Sequence, residues 1–197
     1  AAAAAKAAAR MLLTGEKVEN IDLMTPKGIL LHLEILDIHQ GTEEVSCAVR
    51  KDGGDDPDAT HGLLVYAAVC KKKESGVDID GGRGVGRVTK KGLEQPVGAA
   101  AINKMPRTMI REAVEDVADA FGYAGGFSVV ISIPGGEEVA KKTFNPRLGI
   151  IGGISVLGTS GIVVPMSEDA LIASIHAEMR LRKESGDYLL VTPGNYG

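Results

Sequence analysis

Four stretches of the 197-residue chain have residue types and spacings that could do chemistry. The first is Asp52-Gly53-Gly54-Asp55-Asp56-Pro57-Asp58-Ala59-Thr60-His61-Gly62. Crowded carboxylates repel one another, so they need solvent, a cation or a proton. An EF-hand is excluded: its twelfth position must be acidic, and counting from Asp52 that position is Leu63. His61 is the residue type that serves as acid or base near neutral pH. A solvated turn is the competing reading. The second stretch is Gly81-Gly82-Arg83-Gly84-Val85-Gly86-Arg87. It is neither a dinucleotide fingerprint, because Arg87 replaces the last required glycine, nor a Walker loop. Glycines beside two arginines suit an anion cradled by backbone N–H groups, or simply a mobile loop.

The third stretch is Lys141-Lys142-Thr143-Phe144-Asn145-Pro146-Arg147-Leu148-Gly149, which runs into Ile150, Ile151, Gly152 and Gly153. Its cations, Lys141, Lys142 and Arg147, flank a proline turn. Arginine suits bidentate carboxylate recognition, so a ligand with many carboxylates would fit. A lysine-bearing surface turn is the bland alternative. In the fourth, residues 189–197, an apolar strand feeds a glycine turn. Sites for nucleotides and for S-adenosylmethionine begin this way, but the dinucleotide spacing is lacking.

Composition narrows the classes. There are 22 basic and 26 acidic residues, net −4, which argues against a bulk nucleic-acid coat and leaves room for a local basic pocket. Cys47 and Cys70 form no CxxC pair, and a reducing, cytoplasmic setting is expected. His32, His39, His61 and His176 share no ligand-type spacing, so no protein metal site is expected. GxSxG is absent, and no apolar run is long enough for a membrane span. The 26 glycines are about twice average usage and belong in turns or close-approach loops.

The elements that must position these stretches read as α+β. An alanine-rich helix is expected over residues 1–13, stopped by Gly15. Residues 18–50 read as strands: Ile29, Leu31, Leu33 and Ile35 recur with period two, and Pro26-Lys27-Gly28 makes a turn. Residues 63–70 are another apolar run. Residues 76–98 read as irregular, with a short strand near 87–89. A helix over 106–121 carries the stripe Met109, Ile110, Ala113, Val114, Val117, Ala118 and Phe121. A strand over 127–133 and a short helix over 137–142 follow. Ser167 is expected to cap a last helix bearing Leu171, Ile172, Ile175 and Met179, before a strand over 188–191. The order favours a mixed or antiparallel sheet with packed helices. Residues 1–187 form one α+β domain, and 188–197 open a C-terminal Rossmann-like α/β domain whose remainder is missing. Both ends read as cut.

Taken together, residues 52–62, 82–88, 130–134, 136–165 and 192–197 resemble the CbiD family of cobalamin biosynthesis, in the same order along the chain. The most specific segment is 141–149, with Gly152-Gly153-Ile154-Ser155 and Gly158-Thr159. The resemblance implies a cobalt-precorrin-5B C1-methyltransferase, which transfers a methyl group from S-adenosylmethionine to give cobalt-precorrin-6A. The family's stretch before the alanine helix and its C-terminal α/β domain lie outside this sequence. On that resemblance, Lys141, Lys142, Asn145 and Arg147 are expected to hold the substrate's acetate and propionate arms. Gly152 and Gly153 would let the backbone approach its flat ring. Asp55, Asp56 or His61 would manage a proton or favour the sulfonium charge. Thr192, Gly194, Asn195 and Gly197 are the expected cofactor contacts. Cobalt would arrive within the tetrapyrrole substrate. Two other classes stay open from the residues alone: a nucleotide-binding, phosphotransferase-like α+β enzyme, and a non-catalytic tetrapyrrole-binding module.

Overall fold

The computed structural model describes residues 1–54, 59–158, 161–162, 168–184, 186 and 188. The chain opens with helix α1 (Ala2–Thr14), then strands β1 (Asn20–Met24), β2 (Leu30–Glu34), β3 (Leu36–Gln40), β4 (Glu44–Arg50) and β5 (Leu64–Lys72). Next come β6 (Val77–Gly81), β7 (Gly84–Val85), β8 (Arg87–Val88) and helix α2 (Lys104–Ala120). Strand β9 (Gly126–Ser132), helix α3 (Gly136–Ala140), β10 (Ile150–Ile151), β11 (Gly153–Ile154) and helix α4 (Glu168–Lys183) complete it. This is the expected α+β class. Ser167 and residues 189–191 of the expected final strand lie outside the described residues.

A five-stranded sheet in the order β3-β4-β5-β9-β6 forms the centre. All neighbours are antiparallel except β6, which runs parallel to β9. One face of the sheet is dry: Val45, Cys47, Ala67, Val69, Val129 and Ile131 are all fully buried. Helix α1 packs on this face and against α2. Its alanines explain the fit. Ala4, Ala5, Ala7, Ala8 and Ala9 expose no surface, so the helix is buried nearly all round. Gly15 ends it in the left-handed conformation at φ 74°, with its N–H donating to the Met11 carbonyl at 2.8 Å. The Cys47 thiol donates to the Ala4 carbonyl at 3.2 Å, and burial pushes its pKa up to about 12.

Three expectations change. Residues 76–98 are not irregular throughout, because 77–81 form β6 and Gly84–Val85 form β7. Val77 and Ile79 do alternate with Asp78 and Asp80, but aspartate and glycine are poor strand formers, so the period is faint. Pairing with β9 supplies what local propensity lacks. The alternating run 29–36 is not one strand: β2 pairs with β1 in a hairpin, and β3 joins the large sheet. Phe121 leaves the apolar stripe of α2 and is half-exposed, whereas Ile110, Ala113, Val114, Val117 and Ala118 are buried.

Beyond the carboxyl ends of β6 and β9 the chain packs backbone against backbone. Gly84 sits at φ 77°. A methyl group built there would overlap the Ile133 carbonyl, and one on Gly136 or Gly153 would overlap the Gly84 carbonyl. Hydrogen bonds cement the contact: Ile133 N–H donates to Arg83 O at 2.8 Å, and Gly86 N–H to Ile154 O at 2.9 Å. Two arginines brace this junction. Arg87 makes a bidentate pair with Asp80 at 2.6 and 2.9 Å and also donates to Gly81 O. Half-buried Arg107 donates to the carbonyls of Ile79 at 2.7 Å and Ile102 at 2.8 Å, tying the start of α2 to β6.

Two outcomes follow. Gly84→Ala adds both steric overlap and backbone strain, and should lower unfolding free energy by about 3 kcal/mol in a urea titration. Gly98→Ala, also at positive φ but facing open space, should cost only about 1 kcal/mol. The Arg87 guanidinium holds the Asp80 carboxyl below the usual carboxylate range. Its stabilisation is therefore complete above the unfolded pKa and disappears as pH falls through the lower folded value. Asp80 is half-exposed, so the loss should stay within about 1 kcal/mol. Asp80→Asn should flatten the corresponding acid limb of a stability-versus-pH curve.

Candidate functional site

The described parts of three of the four stretches singled out in the sequence, within 51–63, 82–88 and 141–154, meet at one end of the sheet. Strand β5 begins at Leu64 and pairs Tyr66 with Ser132, so the 51–63 loop emerges beside the end of β9. The Leu63 side chain lies 3.9 Å from where a Gly135 methyl would be. Residues 82–86 and 133–136 meet in the glycine junction. Residues 149–154 are paired onto them, with Ile150 opposite Val88 and Gly153 opposite Gly84.

The third stretch is an anchored turn. Thr143 Oγ1 donates to Ala140 O at 2.8 Å, and Leu148 N–H donates to Phe144 O at 3.1 Å. Leu148 packs with Val88, Ala101 and Ile150 in a small second core. Asn145 is half-buried: its Nδ2 donates to Gly153 O at 3.2 Å, and its Oδ1 accepts from Ser155 Oγ at 3.3 Å. Its amide is therefore engaged in holding the turn to β11. Lys141 is paired with Glu138 at 2.7 and 2.8 Å. The ammonium of Lys142 is exposed, with no ion pair among the described residues. Exposed Arg147 lies over the Phe144 ring at 5.7 Å from its centroid, and Lys90 Nζ donates to Arg147 O at 3.4 Å.

The two candidate glycines differ. Gly153 is buried, and its missing side chain is taken up by Gly84. Gly152 is exposed at φ 83°, with nothing within 4 Å of a methyl placed there. Four cations are exposed here, Arg83, Lys90, Lys142 and Arg147, and Arg83 Nε lies 3.5 Å from Glu137 Oε1. Sequence reasoning assigned no role to Lys90 or Phe144. Lys90 is placed only by the fold, packed over Gly149. Phe144 did carry a signal, an aromatic inside a polar turn of a chain with 4% aromatics.

The acidic loop is partly described. His61 Nδ1 accepts from the Gly53 N–H at 3.0 Å. A backbone N–H only donates, so Nδ1 carries the lone pair and a neutral ring bears its proton on Nε2. Asp52 Oδ1 accepts from Gly54 N–H at 2.8 Å and stands 3.9 Å from His61 Nδ1. Asp55 and Asp56 lie outside the described residues, as do Thr192, Gly194, Asn195 and Gly197. A separate cleft of about 480 Å³, lined by Lys6, Arg10, Asp22, Asp116 and Phe121 among others, shares no residue with the junction. Among the described residues no group of three or more His, Cys, Asp or Glu could hold a metal ion, and no helix is long and apolar enough to cross a membrane.

Known proteins are similar to this chain in sequence, and one solved structure is similar in fold. A cobalt-precorrin-5B C(1)-methyltransferase from Ruminiclostridium cellulolyticum is 57% identical over 198 residues, covering 100% of this chain and 51% of its own length. One from Thermoanaerobacter sp. is 54% identical, covering 100% of this chain and 53% of its own length. The chain spans about half the length of the curated relatives it matches. A crystal structure of a cobalamin biosynthesis protein (cbiD) from Archaeoglobus fulgidus superposes with a TM-score of 0.61 at 31% identity, over 91% of this chain and 58% of that one. The family model CbiD matches residues 1–165. With most of its length inside that match, this chain belongs to the CbiD family.

Proposed function

We propose that this chain is the acceptor-binding part of a cobalt-precorrin-5B C1-methyltransferase, acting in cobalamin biosynthesis. Residues 1–187 are the substrate domain, and 188–197 begin a C-terminal α/β domain. The observation that carries the reading is the convergence of the described parts of loops 51–63, 82–88 and 141–154 on one sheet end, with exposed Lys142 and Arg147 at its rim, in a chain 57% identical to a protein of that name. The substrate class is a cobalt tetrapyrrole with carboxylate arms.

Binding and orientation are the tasks of the described residues. Arg147 offers a planar fork of N–H donors to one carboxylate. Lys142, with no ion pair among the described residues, offers its ammonium to another. Lys141 could join only by giving up Glu138, so its share is smaller. Asn145 acts by fixing the turn. Gly152 leaves open room at the surface for a flat ring. S-adenosylmethionine, when bound, supplies an electrophilic methyl on a sulfonium sulfur, and its proposed contacts are Thr192, Gly194, Asn195 and Gly197. Alkylating a ring carbon transfers the positive charge to the ring, which is then neutralised by loss of a proton. His61 would take up that proton at Nδ1 by releasing Gly53, or after tautomer exchange at Nε2. Asp55 and Asp56 would stabilise the resulting cation. Holding both reactants in line is the main source of rate.

Anaerobic incubation of the complete protein with cobalt-precorrin-5B and S-adenosylmethionine should add one methyl mass to the substrate. No mass gain would sink the proposal. Arg147→Ala should raise KM roughly 10-fold or more, as expected for one charge-assisted contact, with the melting temperature unchanged. Early melting with a normal KM would make Arg147 structural. His61→Ala should lower kcat roughly 100-fold with KM little changed, and a normal kcat would remove His61 from the mechanism.

A further inference from the structure

Phe144 is 69% exposed, although the turn carrying it is anchored on both sides. Of the chain's three phenylalanines, Phe127 is 1% exposed in the core, Phe121 is half-exposed at the end of α2, and Phe144 is the most exposed. Phe144 contributes little to packing, so folding does not explain a large apolar ring held in water. Its surroundings do suggest a use. Arg147 lies over the ring, which pre-sets the guanidinium beside a π face. Lys142 is two residues away, and Lys90 reaches the turn at the Arg147 carbonyl. Ile151, 59% exposed, follows Ile150, whose N–H donates to Asn145 O at 2.9 Å. Flat apolar surface and cations with no ion pair among the described residues therefore share one rigid rim. A ligand matching both is a planar conjugated ring edged with carboxylates.

We infer that Phe144 is the stacking platform for the acceptor's macrocycle, and that its contact with Arg147 positions that side chain as the carboxylate clamp. This rests on the acceptor-binding reading above. Aromatic stacking lowers the free energy of a flat ligand beyond simple area burial. Because the loop is fixed by Asn145, Thr143 and Leu148, the ring is held in place before the ligand arrives, which limits the entropy lost on binding.

The probe is cobyrinic acid, a cobalt corrinoid with free carboxylates, titrated into the complete protein by absorbance. Its heptamethyl ester serves as the uncharged comparison. Phe144→Ala should weaken the ester about tenfold and the acid by more, since the acid also loses the positioned Arg147, without moving the melting temperature, and Phe144→Trp should restore binding of both. Arg147→Ala should weaken the acid much more than the ester. Phe144→Leu keeps apolar bulk without a flat face, and should bind like the alanine variant. If wild type binds and Phe144→Ala binds equally well, the stacking role is overturned while the acceptor-binding reading stands. If Phe144→Leu binds like wild type, bulk rather than stacking is at work, and the inference fails. If wild type binds neither the probe nor cobalt-precorrin-5B, the acceptor-binding reading falls and this inference falls with it.

Discussion

Everything at the candidate site depends on the close approach of backbones at Gly84. Its carbonyl lies where side chains on Gly136 and Gly153 would have to be, and its own missing side chain makes room for the Ile133 carbonyl. Three chain segments can therefore touch without any intervening side chain. Such contact needs glycine at each crossing, since even one methyl group enters the van der Waals envelope of a peptide oxygen. The reward is precision: loops distant in sequence are tied by short backbone hydrogen bonds. Loops so fastened can present side chains at fixed positions, as recognition of a large rigid ligand requires.

The central sheet supplies the other half of that precision. Its dry face is pressed against α1, whose alanines let the helix axis approach closely. Helix α2 covers the neighbouring ground, and Arg107 anchors its first turn to carbonyls of Ile79 and Ile102. A half-buried guanidinium donating to several carbonyl oxygens is a strut between the elements it joins, because each lost contact leaves a partly desolvated donor unsatisfied. Arg87 does similar work at the surface with Asp80. Between them these arginines join β6, the 100–102 segment and the glycine loop into one body. Neither cation is available to a ligand, although both sit near the site.

That division of labour among cations decides how the proposed substrate surface works. Arg87, Arg107 and Lys141 are engaged by the protein itself. Lys142 and Arg147 are left for solvent or ligand, with Lys90 packed alongside. A carboxylate-rich macrocycle would meet a limited number of well-placed charges instead of a diffuse positive field. This is compatible with a chain whose net charge is −4.

Much of the frame was legible from residue order. Eight alanines among the first nine residues specify a helix, and Gly15 its end, because propensity and capping act over one or two turns. The stripe of α2 and the alternation in β9 are likewise local periodicities. The turn of 141–149 could be recognised as a cluster of cations around Asn-Pro. What sequence order could not decide depends on contacts between distant residues. Strand β6 exists because β9 lies beside it in parallel, a pairing that no local signal encodes. Gly153 is spent on Gly84 while Gly152 faces open space, though the two are adjacent and chemically identical. Lys141 is neutralised by Glu138 while Lys142 has no ion pair among the described residues, because successive side chains leave the α3 terminus in different directions. Local order determined the element types and the residue chemistry. Tertiary packing alone decided which of those residues remain for a ligand, since availability is set by whatever long-range neighbour arrives first.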